Sequence, residues 1–332
     1  MKLCVFLGVL INEVASSGMF CWIMFVDVCN FTEDLRFNIQ SYGEAKASNK
    51  RVMEILIKII SRCDLSLIQE VRDSRGGAIS ALLMNLNRFD KSHIYTHLES
   101  KRMGKKTYKE QYVYIYRKDM VKVQEQYQHP EFNESAVFAR EPFIIWIHSP
   151  TTLVKNFALI GQHTCPKSAM KEMEALYEVF QTVRKKWKTE NVMFLGDLNA
   201  ACSYVTNKGL KSVRLRSDPK FHWLIRDEQD TTVREKTCCA YDRIIIHGKE
   251  LISGIVPESA QPFNFKKEFS LSEEEALEVS DHYPVEVDLK ANHRYFLQWS
   301  QIALRNMSCS IHQMISSSIV LVPYSQHCKM GK

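Results

Sequence analysis

Two histidines and a set of acidic residues stand at the borders of this chain's apolar runs, where catalytic groups are often found. The stretch 191–200, NVMFLGDLNA, reads as a buried strand ending at Gly196 and followed at once by Asp197 and Asn199. Side chains alternate along an extended backbone, so residues two apart face the same way. A carboxylate and a carboxamide presented together suit a divalent cation and a phosphate oxygen. Taken alone, the pair reads equally well as turn-forming residues capping a strand. Glu70, Glu110, His163, Asp242 and the dipeptide Asp281-His282 border other apolar runs in the same manner. Together they form an inventory for metal-assisted phosphodiester hydrolysis: a base for water, an acid for the departing oxygen, and positive charge for the transition state. A carboxylate behind each imidazole fixes its tautomer and favours its cationic form. Spacing leaves open which carboxylate serves which ring. Other chemistries fit less well, because the chain has no Gly-rich phosphate loop, no G-x-S-x-G, no H-E-x-x-H and no zinc spacing.

The elements that must carry these groups follow from periodicity. Val52, Ile55, Leu56, Ile59 and Ile60 recur at helical spacing across 49–61, and a second amphipathic helix is expected over 78–89. Ala169, Met173, Leu176, Phe180, Val183 and Trp187 make one stripe of a long helix introduced by Pro166. Strands are expected over 65–68, 112–116, 120–127, 143–148, 157–162, 191–196, 242–246 and 284–287. Strands, a helix and strands again predict an α/β sandwich of two packed mixed sheets with helices outside.

The chain has 332 residues, 45% of them hydrophobic and 25% charged, so it can bury a large core as one domain. A net charge of +6 is compatible with a polyanionic partner. Basic clusters occur at Lys101, Arg102, Lys105, Lys106 and Lys109, and at Lys208, Lys211, Arg214 and Arg216. The N-terminus, with Lys2, an apolar segment and Ala15-Ser16-Ser17, reads as a signal peptide, and the run 19–26 is too short to span a bilayer.

Several motifs occur in order along the chain. They are Phe37-Asn38-Ile39, Leu67-Ile68-Gln69-Glu70-Val71-Arg72-Asp73, Thr107-Tyr108-Lys109-Glu110, Phe138-Ala139-Arg140-Glu141-Pro142 and His163-Thr164. Gly196-Asp197-Leu198-Asn199-Ala200, Cys202-Ser203-Tyr204, Ala240-Tyr241-Asp242-Arg243 and Ser280-Asp281-His282-Tyr283-Pro284 complete the set. In these the chain resembles the deoxyribonuclease I family, and its gamma-type and X-linked-type members in particular. The resemblance implies a four-layered sandwich and a metal-dependent endonuclease with little sequence selectivity that leaves 5′-phosphate ends. It implies that His282 with Asp242 activates water and that His163 with Glu110 assists the leaving group. Glu70 and Asp281 would hold Mg2+ or Mn2+, with Asp197, Asn199 and Asn38 around metal and phosphate. Arg72, Tyr108 and Arg140 would hold the DNA backbone, Asp230 and Thr232 would bind Ca2+, and Cys202 would pair with Cys239.

The expected partner is double-stranded DNA, free or in chromatin, acted on by a monomer, with actin binding left open. The expected location is secreted or in the endoplasmic reticulum lumen, the nucleus being the alternative. The expected organisation is an atypical segment over 1–35, a catalytic domain over 36–289 and an irregular tail over 290–332. Rival readings are another phosphoesterase of the superfamily, acting on abasic sites or sphingomyelin, and a DNA-binding relative without activity. The chain departs from the family at Ala201, where many relatives carry Asp, and over 128–137, which lacks the Asp residues of a second calcium site. It also departs at Thr32-Glu33-Asp34-Leu35-Arg36, where relatives carry an apolar first strand. That strand is therefore expected to be rewritten, with 20–26 as a substitute.

Overall fold

The computed structural model describes residues 31–104, 109–130 and 137–292, with side chains from Asn38 onward. These residues lie in one compact unit that ends at Asn292. The proposed signal peptide, the run 20–26, Tyr108 and the tail lie outside the described residues.

Twelve strands alternate with helices. They are β1 (Phe31–Tyr42), β2 (Leu65–Val71), β3 (Tyr95–Glu99), β4 (Gln111–Arg117), β5 (Lys122–Gln128) and β6 (Phe143–His148), then β7 (Asn156–Gly161), β8 (Val192–Asp197), β9 (Phe221–Trp223), β10 (Asp242–His247), β11 (Gln261–Pro262) and β12 (Val285–Lys290). One mixed sheet has the order β11-β12-β1-β2-β4-β3 and the other β5-β6-β7-β8-β10-β9. Helices α1 (Glu44–Ser48), α2 (Lys50–Ile60) and α3 (Gly77–Phe89) precede the long α4 (Ala169–Trp187).

The apolar stripes read from the sequence are the faces that bury. Leu56, Ile59 and Ile60 of α2 are fully buried with Leu82 and Leu86 of α3 against Ile39, Ile68 and Val113 of the first sheet. Asn49 caps α2 by accepting from Arg51 N at 3.1 Å and Val52 N at 3.3 Å, which satisfies two donors that the first turn leaves unpaired. Met173, Leu176, Phe180 and Val183 of α4 pack on Ala158, Ile160, Phe194 and Ile245 of the second sheet. Each fully buried Leu or Ile stabilises the fold by roughly 1.5–3 kcal/mol. The result is the four-layered sandwich.

The two sheets pack on each other closely and through polar contacts. Tyr114 Oη donates to Phe143 O at 3.3 Å, and a Cβ at Gly161 would meet Leu67 Cδ2 at 3.0 Å. Gln69 Oε1, on β2, accepts from Asp197 N, on β8, at 3.0 Å.

The first strand corrects the expectation drawn from its charged residues. β1 lies inside the sheet, antiparallel to β12 with Phe31 opposite Lys290, and parallel to β2 with Asp34 opposite Leu65. Residues 32–36 therefore occupy the first-strand position. Backbone pairing on both sides satisfies the strand's donors and acceptors whatever side chains it carries.

Close approach dictates glycine at position 196. A Cβ there would lie 1.7 Å from Gln162 O, because β7 runs on past Gly161 and Gln162 N donates to Leu195 O at 2.9 Å. Gly196→Ala should therefore cost about 3 kcal/mol or more in urea denaturation. Gly77→Ala, where a Cβ meets nothing within 4 Å, should stay within about 1 kcal/mol. Cys202 and Cys239 form a disulfide across 37 positions. Replacing both with Ser should lower stability by about 4 kcal/mol on loop-closure reasoning, read from the same denaturation curves.

Candidate active site

The chemistry-bearing residues gather at one end of the sandwich because of strand direction. β1 runs parallel to β2 and β7 parallel to β8, so these strands deliver Asn38, Glu70, His163 and Asp197 where they end. β4, β10 and β12 run antiparallel to these neighbours, so Glu110, Asp242 and His282 stand where they begin. In the ladder Asp242 is opposite Asp197.

The backbone is unusual at this end. Ser41, Glu70, Asn199 and Cys202 have φ of 57°, 56°, 46° and 53°, left-handed values at non-glycine residues. The pairing of β2 with β4 shifts register between Ile68 and Val71, so Glu70 sits on a bulge that re-aims its side chain. Such conformations persist only where surrounding contacts hold them. Here Ser41 N donates to Glu70 Oε2 at 3.0 Å and Asn199 N to Asp197 Oδ1 at 3.0 Å.

Two imidazoles face one carboxylate oxygen. His163 Nδ1 lies 2.8 Å from Glu110 Oε1, and its Nε2 is 3.6 Å from Asp197 Oδ2. His282 Nδ1 lies 2.7 Å from Asp242 Oδ2, and its Nε2 is 3.7 Å from the same Asp197 oxygen. Each ring is thus backed by its own acid and turned toward a shared point. Burial opposes charge on His282, but Asp242 and Asp197 outweigh it and push the imidazole up to about 10.

Beside the rings lies a cradle of oxygen donors. Asn38 Nδ2 reaches Glu70 Oε1 at 3.2 Å and Asp197 Oδ2 at 3.4 Å, so carboxylates from both sheets meet at one buried amide. Asp281 Oδ1 is 4.0 Å from His282 Nε2 and partly open to solvent. These hard oxygens match Mg2+ or Mn2+ by type. Asp197, Asp242 and His282 also bring ligating atoms within 4.8 Å of one another. The short contact between His282 and Asp242 favours reading those two as a proton pair and Asp197 as the ligand shared with the cradle.

Other expected residues are placed as follows. The amide of Asn199 is turned to Thr164 O at 3.0 Å, which ties the turn after β8 to the one after β7. Arg140 is buried, with Nε 3.2 Å from Glu110 Oε1 and donating to His163 O at 2.9 Å, and Nη2 donating to Thr164 O at 2.8 Å. Much of its fork thus holds the Glu110–His163 pair. Arg72 Nη1 donates to Ser41 Oγ at 3.2 Å.

Asp230 Oδ1 accepts from Thr232 N at 2.9 Å, Thr232 Oγ1 at 2.6 Å and Cys239 N at 3.0 Å. This loop supplies hard oxygens of the kind that Ca2+ takes. It is bonded directly to the His282 segment, through Val233 N to Asp281 O at 2.9 Å and Tyr283 N to Thr231 O at 2.8 Å.

Sequence reasoning missed several supports. Tyr112 Oη accepts from His163 N at 2.8 Å, and Arg243 Nη2 donates to Ala200 O at 3.2 Å. Lys46 and Ser280 join the segments on either side of the cradle. A polar residue on the inward face of a buried strand, as Gln69 and Tyr112 are, was the available signal.

Residues 37–282 match the endonuclease/exonuclease/phosphatase family. The chain is 44% identical to human deoxyribonuclease gamma over 277 residues, covering 82% of this chain and 91% of that one. It is 47% identical to pig deoxyribonuclease-1, covering 76% and 90%. Human deoxyribonuclease-1-like 1 is 43% identical, covering 83% and 91%. Among solved structures, an endonuclease/exonuclease/phosphatase from Bacteroides vulgatus superposes with a TM-score of 0.55 at 15% identity, covering 79% of this chain and 99% of that one, a likeness of fold. This chain is a phosphodiesterase that belongs to the deoxyribonuclease I family within the endonuclease/exonuclease/phosphatase superfamily.

Proposed function

We propose that the protein is a divalent-metal-dependent endodeoxyribonuclease that cleaves the bond between phosphorus and the 3′ oxygen, leaving 5′-phosphate and 3′-hydroxyl ends. The observation that carries this is the pair of imidazoles, each acid-backed at Nδ1, whose Nε2 atoms bracket Asp197 Oδ2 at 3.6 and 3.7 Å. DNA as substrate is supported by the relatives, which are named deoxyribonucleases.

His282, with Asp242 behind it, takes the proton of the attacking water. His163, with Glu110 behind it, gives a proton to the departing 3′ oxygen. Each carboxylate requires a proton on Nδ1, which aims Nε2 at the phosphate. Glu70 and Asp281, with Asp197 and Asn38, would hold Mg2+ or Mn2+, and Asn199 would meet the phosphate. When bound, that cation would supply positive charge to the phosphorane-like transition state and lower the proton affinity of His282. Arg72, Tyr108 and Arg140 would contact the DNA backbone, contacts that carry no base information and weaken with salt. Asp230 and Thr232 would take Ca2+ and steady the His282 segment. The Cys202–Cys239 disulfide supports an oxidising destination, secreted or lumenal.

Plasmid nicking in Mg2+ and Ca2+ tests the assignment. His163→Ala and His282→Ala should each lose roughly 10²–10⁴-fold in rate, and chelation should abolish activity. Equal nicking by wild type and both variants would sink it.

His282 provides a second test. Its folded pKa is raised above the unfolded value of about 6.5, so its contribution to stability is fully present below that pH. The contribution is lost as pH rises through about 10. Metal-free protein should therefore lose thermal stability over that window, and Asp242→Asn should flatten the loss. Imidazole NMR should show Asp242→Asn lowering the His282 pKa, and Mg2+ lowering it in wild type.

A further inference from the structure

The cradle is built from two segments far apart in sequence, the irregular end of β1 around Asn38 and the turn around His282. Ser280 Oγ donates to Asn38 O at 2.6 Å, across 242 positions, and accepts from His282 N at 3.0 Å. One hydroxyl thus joins the residue that bridges Glu70 and Asp197 to the residue proposed as base.

A second side chain makes the same crossing. Lys46 stands on α1, just after the irregular 38–41 end of β1, and its side chain is half-buried. Its Nζ donates to Val279 O at 2.9 Å and to Ile39 O at 3.4 Å. Those carbonyls belong to the residue before Ser280 and the residue after Asn38. Burial pushes the ammonium down to about 8 against the pull of Asp281 and Glu70. The proposed proton transfers do not use this residue. A cation half-buried toward two carboxylates carries a desolvation cost, which its interactions must offset.

Resting on the metal-dependent reading of the site, we propose that Lys46 is a positioning residue of the active site. Its ammonium ties the 38–41 end of β1 to the 279–282 turn. It also supplies positive charge to the carboxylate-rich cradle before a divalent cation arrives. The Asn38 amide and the His282 ring then keep their relative placement in the metal-free protein. Fixed geometry of this kind acts on the chemical step more than on substrate binding, because the polyanionic substrate meets its own contacts elsewhere.

The test compares wild type, Lys46→Met, which keeps the apolar stem and loses the donors, and Lys46→Arg, which keeps both charge and donors. Amide hydrogen exchange of the metal-free proteins should quicken in Lys46→Met at residues 39–41 and 280–282, with the rest of both sheets unchanged. Plasmid nicking in Mg2+ should show kcat down about tenfold or more in Lys46→Met. KM for DNA should stay within about twofold, and Lys46→Arg should recover most of the rate. Unchanged exchange at the two segments overturns the proposal. So does exchange raised throughout the molecule with a lowered Tm, which marks a general packing defect, and so does failure of Lys46→Arg to restore kcat. An inactive wild type would overturn the nuclease reading instead, because the exchange comparison needs neither metal nor DNA.

Discussion

A buried carboxylate oxygen that several groups must share is the constraint on which the rest of this structure depends. Asp197 Oδ2 faces His163 Nε2, His282 Nε2 and Asn38 Nδ2, while Glu70, Asp242 and Asp281 crowd the same end of the sandwich. Like charges gathered in a low-dielectric place repel strongly unless cations and donors are fixed among them. The imidazolium character of His282, the Asn38 amide and the Lys46 ammonium all answer that demand in the metal-free protein. A divalent cation bound among these carboxylates would answer it more fully.

Rigidity around that oxygen comes from both sheets at once. Gln69 reaches from β2 to the amide of Asp197 on β8, and Tyr112 reaches from β4 to the amide of His163. Gly196 lets the backbone of Gln162 lie where a side chain would otherwise stand. The left-handed conformations at Ser41, Glu70 and Asn199 are held by hydrogen bonds within the same group of residues. Strain is thus concentrated at the site, and the surrounding ladders and core hold it there. The 230–239 loop, stapled through Cys239 and bonded to Asp281 and Tyr283, extends this support toward the surface. Calcium bound there would act on the base through those same bonds.

Much of the fold was legible because its signals are local. The stripes of α2 and α4 and the apolar runs of β2, β6, β8 and β10 appear within a residue or a few of where periodicity put them. β3, β9 and β11 were missed, since a short or edge strand leaves little alternation to detect. The first strand was doubted because Glu33, Asp34 and Arg36 replace the apolar residues of relatives, whereas pairing to β12 and β2 recruits them into the sheet. Among the site residues, spacing gave the type of each group, and only the family resemblance gave the acid behind each histidine. Arg140, which the resemblance assigned to the DNA backbone, also has much of its guanidinium held by Glu110 and two carbonyl oxygens.

By itself the sequence determined which chemical groups stand at the ends of which apolar runs, and, through ordered motifs, the family to which the chain belongs. Those facts are local, or are strung along the chain in order. Tertiary structure alone decided that both rings share one oxygen, and that Lys46 and Ser280 close the cradle. These contacts span from 34 to 242 positions, and their geometry is set by how two twisted sheets pack, which no short stretch of residues encodes.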